Sequence, residues 1–160
     1  MLTLKGLRDE DFTQYKKPSM FLIFPSCSFK CCTEGNLPIA TCQNCELAQA
    51  PAKQVNIKTI VNRYIDNPIT SAIVCGGMEP FDSWEGLLSL ITHLRTLTQD
   101  DVVIYTGYYP EEVQDKISLL KCFSNIIIKF GRYVPGHQSH YDETLGVYLA
   151  SNNQFAQKIS

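Results

Sequence analysis

Short apolar runs alternate with helix-period stripes along this chain, and that alternation restricts it to strand–helix–strand units on a mostly parallel sheet. Strand-like runs lie at Met20–Phe24, Ser71–Cys75, Val102–Tyr105 and Asn125–Phe130, with a weaker one at Gly146–Leu149. After the first of them, Ile57, Ile60, Val61, Tyr64 and Ile65 recur at i, i+3, i+4, i+7 and i+8, behind Asn56 as N-cap. Leu87, Leu88, Ile91 and Leu94 make a second stripe, starting at Asp82 or Ser83. A third helix opens at Pro110-Glu111-Glu112, where proline suits the first helical position and two acids suit the dipole, and continues through Val113, Ile117 and Leu120. With 160 residues, the chain holds four or five such units, against the ~250 residues of an eight-fold barrel. The expected fold is therefore α/β, an open or incomplete (βα) barrel or a small doubly wound sheet. It is one domain over 1–160, with residues 1–18 as an N-terminal extension and no repeat or linker. Ligands of either architecture belong at the carboxyl ends of the strands.

Function turns on the segment that follows the first strand. Five of the seven cysteines, Cys27, Cys31, Cys32, Cys42 and Cys45, fall between residues 27 and 45. The N-terminus has charges every few residues and no apolar signal region, so a reducing, cytoplasmic setting is expected, where clustered thiols hold metals rather than disulfides. A net charge of -2 without Lys or Arg clusters argues against a nucleic-acid or anionic-membrane surface. The longest apolar runs are far too short to span a bilayer.

Three thiolates on one loop suit a cubane cluster with one iron left open, and four suit a closed zinc site. Cys42-Gln-Asn-Cys45 is a CxxC pair, which Cys27 with Cys31 or Cys32 would complete as a zinc tetrahedron. Zinc sites of this type usually use two such pairs and only one is present, so the spacing favours iron and sulfur. Cys32 and Cys45 then read as spectators, and Cys75 and Cys122 as small core residues of a strand and a helix end. Gly76-Gly77 follows the second strand and Thr106-Gly107 the third, on the same rim as the cysteine loop. Each also has a plainer reading as a βα turn, with Pro80 and Asp82 starting the next helix. Ser151-Asn152-Asn153-Gln154 is polar enough for a ligand or for an exposed turn. His93, His137 and His140 draw no functional assignment.

These residues together resemble the radical S-adenosylmethionine (radical SAM) superfamily, and within it the small activating proteins of anaerobic (class III) ribonucleotide reductase. Cys27-x3-Cys31 matches the start of the superfamily's C-x3-C-x2-C loop, and Cys42-Gln43-Asn44 resembles its third cysteine with a trailing Asn. Ten residues, rather than two, separate Cys31 from Cys42, and Cys45 stands as the rival third ligand. Cys75-Gly-Gly-Met-Glu-Pro-Phe81 resembles a GGEP motif with one residue inserted. Ile104-Tyr-Thr-Gly-Tyr108 before Pro-Glu-Glu-Val113 is similar to a strand-TGY-helix segment, and Leu145–Gln154 to the family's C-terminal strand and S-x-N-Q segment. The match runs from about Met20 to the C-terminus.

The resemblance implies a radical SAM type fold, an incomplete barrel, with a [4Fe-4S] cluster on Cys27, Cys31 and Cys42. It implies S-adenosylmethionine bound near Gly76, Gly77, Glu79, Thr106 and Asn44, with Glu79 as the acid that meets the methionine amine. The implied activity is reductive cleavage of that cofactor to a 5′-deoxyadenosyl radical, which generates a glycyl radical on the partner reductase. An electron donor such as a flavodoxin is implied as a second partner.

Overall fold

A computed structural model describes all of residues 1–160. The chain starts with β1 (Leu2–Leu4), β2 (Gly6–Asp11) and β3 (Ser19–Phe24), and then enters the cysteine segment with two short helices, α1 (Lys30–Thr33) and α2 (Cys45–Gln49). Next come β4 (Lys53–Val55), α3 (Ile57–Ile65), β5 (Ala72–Gly77), α4 (Trp84–Leu94), β6 (Asp101–Tyr105), α5 (Gln114–Leu120) and β7 (Ile126–Phe130). It closes with β8 (His140–Asp142), β9 (Val147–Leu149) and β10 (Phe155–Lys158).

The main sheet has the order β10-β7-β6-β5-β3-β2. Its four inner strands are parallel and adjacent in chain order, and antiparallel β2 and β10 form the two edges. A doubly wound sheet reverses its strand order once. The inner strands here never reverse, so that alternative falls away. Crossovers that always step in one direction with one hand lie on one face. Accordingly Ile73 and Cys75, Val102 and Ile104, and Ile126 and Ile128 share a large core with Ile60, Tyr64, Leu87, Ile91 and Ile117 of the three crossover helices. The alternate residues Ala72, Val74, Val103 and Ile127 join Tyr15, Leu145 and Leu149 in a smaller buried cluster, edged by partly buried Phe21, Tyr105, Val147 and Ala156. The second face is thinly covered, which leaves room for a cavity.

Local signals account for most of the elements. The Asn56 side chain accepts from the Lys58 N–H at 2.9 Å and caps α3, and Ile60, Val61 and Tyr64 are its buried stripe. In α4 Leu90 is buried and Leu88 only partly so. The structure adds detail at the N-terminus and corrects two expectations further on. Residues 1–18, expected as an N-terminal extension, form strands, β1 pairing with β4 and β2 with β3. Pro110–Glu112 makes a separate 3-10 turn, with α5 starting at Gln114. Glu112 accepts from the Tyr109 N–H at 2.8 Å, so its side chain caps that turn. Cys122 lies exposed just past α5 rather than in the core, because the apolar stripe ends at Leu120, which is buried. No helix is long and apolar enough to cross a membrane.

Candidate iron–sulfur site

A cavity of about 500 Å³ opens at the carboxyl ends of β3, β5 and β6 and runs under the thinly covered face of the sheet. Cys27, Cys31, Cys42, Asn44, Gly76, Gly77, Glu79 and Thr106 all line it, so the loops expected from sequence to share a rim converge on one space. Cys45, the rival ligand, does not line it. It opens α2, with its N–H donated to the Cys42 carbonyl at 3.1 Å.

Cys27 follows β3, Cys31 lies in α1, and Cys42 follows a 3-10 turn at Ile39–Thr41. The Cys27 Sγ accepts from the Phe29 N–H at 3.2 Å and the Cys42 Sγ from the Asn44 N–H at 3.4 Å. Such N–H···S contacts orient sulfur ligands and tune the potential of what they hold. Burial pushes the Cys27 thiol up to about 12, helped by the nearby charges of Glu79 and Asp82 and opposed by the Phe29 N–H. Metal loading must therefore displace a firmly held proton. Cys32 is buried and outside the cavity lining.

No three Cys, His, Asp or Glu side chains converge on a point where one metal ion would sit. Tetrahedral zinc needs four donors about one centre, each at ~2.3 Å for thiolate. A cubane offers a separate iron to each thiolate, and so takes donors spread around a space. Soft thiols placed around one cavity, two of them with N–H donors on sulfur, fit an iron–sulfur cluster.

The second and third loops are tied to the first. The Asn44 Nδ2 donates to the Gly77 carbonyl at 2.7 Å. The Glu79 N–H donates to the Ser26 carbonyl at 2.7 Å. Asp82 accepts from the Ser28 N–H at 2.9 Å and from the Tyr108 hydroxyl at 2.6 Å. The third loop packs directly on the first, since a Cβ at Gly107 would meet the Cys31 Sγ at 3.5 Å and Glu79 Oε2 at 3.7 Å, both ordinary van der Waals contacts. Ser151–Gln154 resolves mostly as structure, with the Gln154 Oε1 accepting from the Ser151 N–H at 3.1 Å and its Nε2 donating to the Gly131 carbonyl at 3.2 Å. Of those four residues only Gln154 lines the cavity.

Glu79 is buried, and its carboxylate accepts from the Gly107 N–H at 2.8 Å and the Phe81 N–H at 3.1 Å. Burial outweighs these donors and raises its carboxyl to about 7. Between the ordinary carboxylate value and about 7, the folded chain holds a proton that the unfolded chain has released. Stability of the metal-free protein is therefore full below that window and falls as pH rises through it, by up to ~3 kcal/mol. Urea titrations from pH 4.5 to 7.5 should show this decline, and Glu79→Gln should flatten it. An unchanged slope in the variant would remove Glu79 as its source.

Sequence reading missed Lys129. It is buried, lines the cavity, and donates to the Gly131 carbonyl at 3.1 Å. Burial lowers it to about 8, against the pull of Glu79 and Cys31. A lysine inside the apolar run Asn125–Phe130 was the available signal, because a buried parallel strand has no use for an unpartnered charge.

The family model for a 4Fe-4S single cluster domain matches residues 18–156. No curated protein and no solved structure gives a significant match.

Proposed function

The chain belongs to the 4Fe-4S single cluster domain family, and from that premise we propose that this iron–sulfur protein is a radical S-adenosylmethionine activase for a glycyl-radical enzyme, an anaerobic ribonucleotide reductase. The observation that supports the reading best is the convergence of three thiols, the Gly-Gly-Met-Glu-Pro turn and the Thr-Gly turn on one cavity. Cys27, Cys31 and Cys42 would hold the cluster and leave one iron open. When bound, the cluster would supply one low-potential electron to cleave the C5′–S bond of S-adenosylmethionine, giving methionine and a 5′-deoxyadenosyl radical that takes a hydrogen atom from a glycine of the partner.

The chain's own part is to bind and orient. Glu79 would accept from the methionine amine, and Lys129, the buried cation of the cavity, would meet the methionine carboxylate. Asn44 and Thr106 would border the same ligand, and the cover of β8 and β9 would keep water from it. We extend the reading to the fold. A sheet wound in one direction with two open edges is taken as an incomplete barrel, and the unfilled side would admit a glycine-bearing loop. A flavodoxin-like donor would supply the electron.

Anaerobic reconstitution is expected to give a brown protein with about four irons per chain. Reduced with dithionite and mixed with S-adenosylmethionine, it should release 5′-deoxyadenosine and methionine in equal amounts. Iron-loaded protein that leaves S-adenosylmethionine intact would sink the proposal. Cleavage without a glycyl radical on the reductase would move the substrate assignment elsewhere.

A further inference from the structure

Arg132, a residue of no recognised motif, lies where three of the motif segments meet. Its side chain is 7% exposed in an ion pair with Glu34. Nη2 donates to Glu34 Oε1 at 2.9 Å and Nη1 to Glu112 Oε2 at 2.8 Å. Nε lies 2.8 Å from Glu34 Oε2, as an ion-pair contact without hydrogen-bond alignment. Nη1 also donates to the Gly107 carbonyl at 3.3 Å, and the guanidinium lies 5.1 Å from the Tyr109 ring centre. Asn153 Nδ2 donates to the Arg132 carbonyl at 2.7 Å and to the Tyr109 hydroxyl at 2.8 Å. Glu34 ends α1, Gly107 to Glu112 follow β6, and Asn153 precedes β10.

The cysteine helix needs such an anchor. At four residues, α1 makes about one turn, too short to be stable alone. Its N-cap is Phe29 at φ 55, a left-handed conformation costly for a bulky residue, and no side chain caps it. Residues 33–40 beyond it are exposed. The segment is held near its start by Asp82 on the Ser28 N–H. At its end Lys5 Nζ donates to the Ala48 and Ala50 carbonyls at 2.6 and 2.7 Å. Between these points, Asn44 on the Gly77 carbonyl holds the Cys42 half, and the Arg132 fork on Glu34 holds the Cys31 half, with Lys30 beside it, 3.6 Å from Glu112 and 4.9 Å from the Tyr108 ring centre. Arg132 is itself held by the Glu112 carboxylate, which accepts from Nη1 at 2.8 Å and is kept down at about 2 by the guanidinium. Through Gly107, the stem of Arg132 and the Cys31 thiol flank the same backbone.

We propose that Arg132 is a positioning residue for the cluster: by gripping Glu34 it fixes the one-turn helix that presents Cys31, and so governs how firmly the iron–sulfur cluster is held. A planar fork can grip two carboxylates at once, which a lysine ammonium cannot do with the same geometry. The role does not depend on S-adenosylmethionine chemistry. It rests only on Cys31 being a ligand.

Iron release to a ferrous chelator from the full-length, anaerobically reconstituted protein tests it, beside the EPR spectrum of the reduced cluster. Glu34 is 54% exposed in this pair, so Glu34→Gln should fold, and the melting temperature of its metal-free form should match wild type. Its iron release should be faster by about tenfold or more. Arg132→Met should release iron at least as fast, Arg132→Lys should fall between, and the EPR lines of all three should broaden or shift. Wild-type release and an unchanged spectrum in Glu34→Gln would overturn the proposal and leave the radical activity untouched. A full iron complement in Cys31→Ser would overturn it by removing the ligand that the grip serves.

Discussion

Serine in place of Cys27, Cys31 or Cys42 is expected to leave the reconstituted protein nearly iron-free, while serine in place of Cys45 keeps about four irons per chain. The three thiols share a cavity that Cys45 does not line. A cubane held by three thiolates has no spare ligand, so losing one leaves two attachment points and an iron open to solvent. The neighbouring thiols are poor substitutes. Cys32 is buried under its own loop, held near the Ile39 carbonyl, and desolvation raises its thiol further. Cys45 would have to unwind the first turn of α2 to enter the cavity. Iron and acid-labile sulfide per chain, measured after identical reconstitution of all four variants, decide the matter. Loss of the cluster in Cys45→Ser with retention in Cys42→Ser would exchange the two assignments.

The elements most legible in the sequence are those whose pattern is local. Met20–Phe24, Val102–Tyr105 and Asn125–Phe130 were readable as strands because buried parallel strands are continuous apolar runs, and each matches an observed strand to within a residue. Asn56 and its stripe match the bounds of α3, although Ile65, the last of the stripe, lies exposed. Edge strands were opaque. β2 reads Gly-Leu-Arg-Asp-Glu-Asp and β10 reads Phe-Ala-Gln-Lys, with the polar residues that an edge needs to avoid open pairing. Such segments look like loops until a partner strand is known.

The candidate site followed the same rule. Cysteines and glycine pairs announce themselves by type and spacing, and they proved to share one rim. Lys129 stood out only as a charge inside an apolar run, and Arg132 had no local signal at all, because its role comes from partners far along the chain: Glu34 across 98 positions and Glu112 across 20. Those pairings are long-range products of the fold. Thr106 shows both sides, since it lines the cavity as expected while its Oγ1 accepts from the Tyr108 N–H at 3.0 Å, which is turn chemistry.

Alanine at Gly77 should be among the most damaging small changes in the chain, and far worse than alanine at Gly76 beside it. Gly77 has φ +83, a left-handed conformation that costs an L side chain ~1–2 kcal/mol. A Cβ there would also lie 2.6 Å from Ile23 Cγ2 and 3.1 Å from Ile23 Cα, across the β3–β5 pairing. Backbone cannot move aside as a side-chain tip can, and overpacking of this kind adds ~1–3 kcal/mol. At Gly76 the nearest atom is Phe21 Cε2, at 3.0 Å, on a ring that can turn. Gly77→Ala should then lower the melting temperature of the metal-free protein by roughly 5–15 °C, given ~2–4 °C per kcal/mol at this size, and Gly76→Ala by only a fraction of that. The shift reaches the site, because the Gly77 carbonyl accepts from Asn44, two residues from Cys42. Iron retention should therefore fall with stability in Gly77→Ala and hold in Gly76→Ala. Equal melting temperatures for the two variants would show that β5 tolerates a side chain at its end, and would undo the account of Gly77 as the position where the strand must stay bare to let the cysteine loop close.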